Sequence, residues 1–340
     1  MDFIMKPASI SRALVLVLTV LGAGALPAQV AEPKVSIVRL DPRFDKLVPK
    51  DAVLERLAGG FTWSEGPVWD RQHGYLLFSD VPQNSIFKWQ EGKGVSLFLK
   101  PSGYTGTEPF TGREPGSNGL TFDSAHRLTI NQHGNRRVVR QEADGTMTVL
   151  ADHYEGKRLN SPNDLVYKSN GDLYFTDPPY GLPKTFDDPG KETPFQGVYR
   201  LTPGGKLTLL IKDLQAPNGI AFSPDEKILY VNDSLTVTWR AYDVQPDGTV
   251  ANGRLLFDAA KVKEGMPGTA DGMKVDAQGN IFSAAPAGIF VLSPDGTLLG
   301  RFDLGVPTGN CAWGEDGSTL FITANHNLYR IRLSTKGAGW

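Results

Sequence analysis

The sequence predicts an all-β fold, a six-bladed β-propeller with four-stranded antiparallel blades, and three observations predict it. The first is a unit that recurs six times: a polar residue, usually with Gly or Asp next, then an apolar alternation, a turn and a second β-rich run. Its starts are Glu65, Asn118, Asn163, Asn218, Asp271 and Asn310, which lie 39 to 55 residues apart. That spacing is in the period range of propellers and solenoids. The second is period-2 patterning around turn signals such as Ser169-Asn170-Gly171-Asp172, Pro224-Asp225 and Gln278-Gly279-Asn280, which reads as an antiparallel hairpin in each unit. The third is that, past the N-terminus, no stretch longer than about two helical turns carries helical periodicity.

In chain order, the first element is a targeting segment. Met1 to Arg12 carries Lys6 and Arg12 against one acid, and the apolar run Ala13 to Ala25 follows it. This is the order of a secretory signal, and the run is short of the ~20 residues of a membrane span. We therefore expect residues 1–28 to be a signal peptide cleaved after Ala25 or Ala28, and a periplasmic or secreted protein. Residues 29–49 form a lead, and 50–340 a single propeller domain. Two further strands follow most hairpins. Arg137 to Arg140 and Thr146 to Leu150 flank Asp144-Gly145, and Gly197 to Leu201 and Leu207 to Leu210 flank Pro203-Gly204-Gly205. Four strands per repeat make a blade. The last repeat is short of strands, because the chain ends soon after Asn327 to Arg332. The segment around Val53 to Leu57 is expected to supply the missing outer strand, closing the ring and removing a sheet edge; a helix over Asp51 to Ala58 is the competing reading.

Composition excludes several functions. One cysteine among 340 residues cannot form an intramolecular disulfide, and with five scattered histidines it cannot build a Cys/His zinc cluster. Cys311 is expected to be buried or unreactive. A net charge of −2 offers no basic footprint for nucleic acid, and no second apolar segment approaches membrane-spanning length, so no membrane contact is expected once the signal is removed. There is no Gly-x-Ser-x-Gly elbow and no P-loop, against a serine hydrolase of that type and against nucleotide chemistry.

The repeat itself points to a site. The innermost strands of a propeller line a central channel, so equivalent first residues of those strands form a ring around the axis. Here they are Glu, Asn, Asn, Asn, Asp and Asn, a hard-oxygen set suited to a calcium-sized cation. Asn and Asp beside Gly are also ordinary turn formers. Glu65 is not, yet it holds the same register.

The runs Ser64-Glu65-Gly66-Pro67-Val68-Trp69, His133-Gly134-Asn135-Arg136-Arg137, Leu159-Asn160-Ser161-Pro162-Asn163-Asp164-Leu165, Leu173 to Gly181, Pro217 to Asp225 and Asp271-Gly272-Met273 occur in this order. With them the chain resembles the gluconolactonase/regucalcin (senescence marker protein, LRE-like) family, in its bacterial secreted form, from about residue 50 onward. The resemblance implies a sugar-lactone hydrolase with one divalent metal, most often calcium with other divalent ions possible, held by Glu65, Asn163, Asn218 and Asp271. It implies Asn118 and Arg158 as substrate contacts. The chain is also similar to paraoxonases in its metal floor. His133 matches one of their paired histidines and Asn118 stands at the place of the other, which puts such a pair in doubt.

A cation of this kind would polarise a lactone carbonyl, and water would attack with loss of its proton to a nearby base. Asp271 is the first candidate for that base and His133 the second. The alternatives are hydrolysis of other lactones, esters or organophosphates on the same metal floor, or a non-catalytic, calcium-stabilised binding propeller. A small lactone is the expected partner, and oligomeric state is left open. Trp63, Trp69 and Trp313 lie near ring positions, where packing between blades explains them as well as stacking on a substrate does. Asp177 and Tyr180, in the Asp-Pro-Pro-Tyr-Gly run, fit either a pocket rim or a blade corner. Long polar loops at Pro101 to Gly116 and Leu182 to Pro194 are expected to cover one face.

Overall fold

Alternating apolar residues give short strands, and the Gly, Asp and Asn turns between them give antiparallel hairpins. The computed structural model describes Met1–Asp2 and Val35–Trp340; the signal-peptide reading lies outside the described residues. From Val35 on, the chain belongs to one compact unit. It carries six antiparallel sheets arranged as blades. The first blade is Ser64–Asp70, Tyr75–Asp80, Ser85–Gln90 and Gly94–Leu99, and the next three repeat that order, beginning at Ser117–Phe122, Leu165–Tyr167 and Pro217–Phe222.

The first strands pack beside one another in sequence around the axis, and the last of them, Asn310–Gly314, packs against Ser64–Asp70. The ring is therefore closed. Closure depends on the segment ahead of the first repeat: Glu55–Gly59 pairs antiparallel with Asn327–Arg332, with Glu55 opposite Arg330 and Gly59 opposite Asn327. The expected strand thus forms two residues further on than its sequence signal, and the competing helix does not form.

The lead also takes part in the structure. Ser36–Arg39 adds a fifth strand to the outside of the fifth blade, pairing with Leu298–Asp303. The short helix Phe44–Leu47 follows, and its buried Phe44 and Leu47 join the apolar core shared by the fifth and sixth blades. Other clusters fill the spaces between successive blades. Trp69 and Trp313, near the ring, serve this packing. Trp69 stacks on Phe321 at 5.3 Å, and Trp313 meets Phe282 edge-on while its indole N–H donates to the Val275 carbonyl at 3.1 Å. Cys311 is buried, its thiol on the Phe282 carbonyl, and burial pushes its pKa up to about 12. It is inert at neutral pH.

Candidate metal centre

Each repeat's polar residue lies within two residues of the start of its inner strand, and in four of the six repeats the glycine that follows it lets the next strand come close. A Cβ on Gly66 would lie 1.9 Å from the Asn118 carbonyl oxygen, and one on Gly119 would lie 2.5 Å from that of Asn163. The same holds for Gly219 against the Asp271 carbonyl and for Gly272 against the Asn310 side chain. The second strands fix the spacing. Ser79 donates to the Asn118 carbonyl at 2.8 Å, Asn131 to that of Asn163 at 2.9 Å, and Thr176 to that of Asn218 at 2.8 Å. Asn232 does the same for Asp271. Neighbouring blades are thus stitched together at the level of the ring, a pattern the sequence reading did not extract although these polar residues sit at matching repeat positions.

The side chains then differ by role. Asn118, Asn163 and Asn218 are buried, and the Oδ1 of each lacks a hydrogen-bond partner. A bare amide oxygen in a dry site is costly, and three in one register are what an oxygen-coordinated cation would satisfy. Asn218 is oriented by its amide, which donates to Ser234 Oγ at 3.0 Å. Asn310 departs from the pattern. Its Oδ1 accepts the Cys311 N–H at 2.9 Å and its amide lies 3.5 Å from Glu65 Oε1, so it supports Glu65 and offers no free oxygen.

Two acids complete the set. Glu65 is buried, with Oε2 accepting the Gly66 N–H at 2.6 Å. Burial first, and the charge of Asp164 second, push its pKa up to about 8. Asp271 is half-buried, with Oδ1 accepting the Gly272 N–H at 3.0 Å. Burial, Glu65 and Asp164, in that order, hold its carboxyl well above the ordinary range. Carboxyls crowded in this way, which the Lys274 charge offsets only in part, are a second mark of a cation site, and the residues present therefore fit a hard divalent ion. Asp164, which the sequence reading passed over, is buried too, and burial raises its pKa.

His133 is fully buried, with Nδ1 2.8 Å from Glu114 Oε2 and Nε2 unpartnered. Arg158 sits in a two-stranded hairpin, Lys157–Arg158 against His153–Tyr154, with its guanidinium donating to the Asn135 carbonyl at 3.1 Å. Two loop residues not selected from sequence as site residues come near the ring. Burial raises the Tyr180 pKa, Ser234, the residue that orients Asn218, acts against that shift, and the charges of Asp271 and Glu114 also bear on it. Glu114 bears electrostatically on Asp271 as well. Asp177 is buried, and burial pushes its pKa up to about 7. A cavity of about 960 Å³ opens at the opposite mouth of the channel, among the far ends of the inner strands, and the ring residues are not among its walls.

Residues 63–326 match the sequence profile described as the SMP-30/Gluconolactonase/LRE-like region. The chain belongs to this family. Among its relatives, the gluconolactonase of Zymomonas mobilis is 42% identical over 312 residues, covering 88% of this chain and 87% of that protein. The pentonolactonase XacC of Haloferax volcanii is 34% identical, with 76% and 80% covered. The solved structure of a gluconolactonase from Xanthomonas campestris superposes with a TM-score of 0.77 at 32% identity, covering 89% of this chain and 96% of that one. Family membership thus rests on a region that holds all six inner strands and stops short of the closing ladder of Glu55–Gly59 with Asn327–Arg332.

Proposed function

We propose that the protein is a divalent-metal-dependent hydrolase of a sugar lactone, with calcium its ion and Glu65, Asn163, Asn218 and Asp271 the ligands. The reading is carried by the bare amide oxygens in register with two crowded carboxyls. Relatives named gluconolactonase and pentonolactonase support the substrate class. When bound, the cation supplies Lewis-acid polarisation of a carbonyl and stabilises the negative charge that develops on its oxygen.

The chain's own groups do the rest. Asp271 takes the proton of the attacking water. Asn118, whose Oδ1 is unpartnered, and Arg158 bind the substrate's hydroxyls. Glu114 holds the His133 ring in one orientation, leaving Nε2 as the alternative proton acceptor. Residues 1–28 carry the chain to the periplasm or outside the cell.

The test is pH-stat hydrolysis of a panel of lactones and esters by metal-loaded, chelated and re-metallated protein. We expect activity on sugar lactones to vanish on chelation and return with calcium, and Asp271→Asn to lower kcat by roughly 10²- to 10⁴-fold. Full activity after verified metal removal would overturn the reading.

A further inference from the structure

Asp70 ends the inner strand that Glu65 nearly begins, so the two acids lie roughly 15 Å apart at opposite mouths of the channel. Two imidazoles converge on Asp70. His73 Nδ1 is 2.9 Å from Oδ2, and His126 Nε2, from the corresponding turn of the next blade, is 2.8 Å from Oδ1. Among the described residues this is the one group of three His, Cys, Asp or Glu side chains whose ligand atoms all lie within 4.8 Å of one another. From these contacts we propose that the far mouth carries a second cation site, formed by Asp70, His73 and His126, which takes a borderline transition ion such as Zn²⁺ and clamps the first blade to the second.

The donor set separates this site from the ring. Two imidazoles and one carboxylate select ions of the zinc, nickel and copper kind, whereas an all-oxygen ring selects calcium. Nothing in the ring reading is needed for it.

The ligands are held in advance. The Asp70 carboxylate is only 3% exposed and also accepts the His73 N–H at 2.9 Å. The His126 ring lies flat on Phe122, centroids 4.5 Å apart at 4°, and His73 stacks on Tyr75 at 5.9 Å and 16°. His126 sits at φ +63° in a turn closed by its own N–H to the Asp123 carbonyl. That turn presents the imidazole to the Asp70 carboxylate of the neighbouring blade.

Ligands about 2.0–2.1 Å from a tetrahedral zinc ion lie about 3.3–3.4 Å from one another, so the two ring nitrogens, now within 4.8 Å, need to close by up to about 1.5 Å and each to draw back by about 0.5 Å from its Asp70 oxygen. Each imidazole would move its proton to the nitrogen facing away from Asp70 and present a lone pair to the ion. His73 is 56% exposed, which leaves an open coordination position for water and a path of entry.

The test uses calcium-loaded protein stripped of transition ions, titrated with Zn²⁺ by calorimetry and with Co²⁺ in the visible range. We expect one equivalent of Zn²⁺ to bind in excess calcium at about micromolar Kd or tighter, and to raise Tm. His73→Ala and His126→Ala should each weaken binding by roughly tenfold or more, with calcium-dependent hydrolysis unchanged. Because His73 is exposed, His73→Ala decides the matter should His126→Ala fail to fold. Unaltered affinity in His73→Ala, or no saturable binding up to about millimolar Zn²⁺, would overturn the proposal whether or not the ring proves catalytic.

Discussion

At the scale of single residues, the two ring acids would make the proposed cation's contribution to stability depend on pH. Glu65 has an ordinary value of 4.5 and is raised to about 8 in the folded, metal-free chain, by burial first and Asp164 second. Between those values the folded state holds a proton that the unfolded state has released, so chelated protein loses stability as pH rises from about 4.5 to about 8. On the proposed reading calcium would take the same carboxyl as an anion, so its stabilisation should grow across that window. Melting curves with calcium and with chelator at pH 5, 6.5 and 8 should show a Tm gap that widens with pH. A constant or narrowing gap counts against Glu65 as a ligand, and Glu65→Gln should remove most of it. The six ring positions were legible in the sequence because each opens a repeat, and a repeat fixes register. The separate role of Asn310 was not, because it depends on which N–H meets its oxygen. Tyr180 and Glu114 were not assigned to the site either: Glu114 lies on the loop between the first and second blades and Tyr180 on a loop within the third, where no period fixes position.

At the scale of elements, inner strands pack closely enough that glycine is required beside the ring. Gly66 has φ +53°, and an added Cβ would meet backbone, the Asn118 carbonyl oxygen, which has no rotamer by which to yield. Gly66→Ala should therefore cost about 3 kcal/mol or more in urea unfolding and loosen metal binding as well. A stability loss below about 1 kcal/mol would show that the strands can separate without harm. The closing strand allows a sharper comparison. Glu55 reaches Arg330 at 2.7 Å, but its side chain is 53% exposed, so Glu55→Ala should change stability by at most about 1 kcal/mol. Ala58→Pro, within the same ladder and opposite Leu328, should cost about 2–3 kcal/mol by removing an N–H and straining the pairing. Equal effects of the two would mean that ion pairing and not the main chain holds the closure. This strand was legible only to within two residues, because Asp51 to Ala58 favours a helix locally and the ladder with Asn327–Arg332 overrides that preference. The fifth strand, Ser36–Arg39, had no signal at all, since it extends a blade that is already complete.

At the scale of the whole molecule, six units become one cooperative body only because the chain overlaps itself. The sixth blade owns three strands, and its fourth comes from a segment about 270 residues earlier in the chain. Without that segment, Asn327–Arg332 is an edge strand with unpaired N–H and C=O groups, the situation that leads to edge-to-edge association. Two shortened chains separate this effect from the loss of Phe44 and Leu47, which are buried in the core between the last two blades. One begins at Asp51 and the other at Phe61. Both lack the helix Phe44–Leu47 and the strand Ser36–Arg39, and only the second lacks Glu55–Gly59. We expect the chain from Asp51 to be less stable than the full chain but monodisperse in size-exclusion chromatography. The chain from Phe61 should melt lower still and elute as higher oligomers, with calcium recovering less of its stability because Ser64–Asp70 and Asn310–Gly314, which carry Glu65 and Asn310, are no longer held together through a completed blade. Identical elution and melting of the two would mean that the inner ring alone closes the propeller.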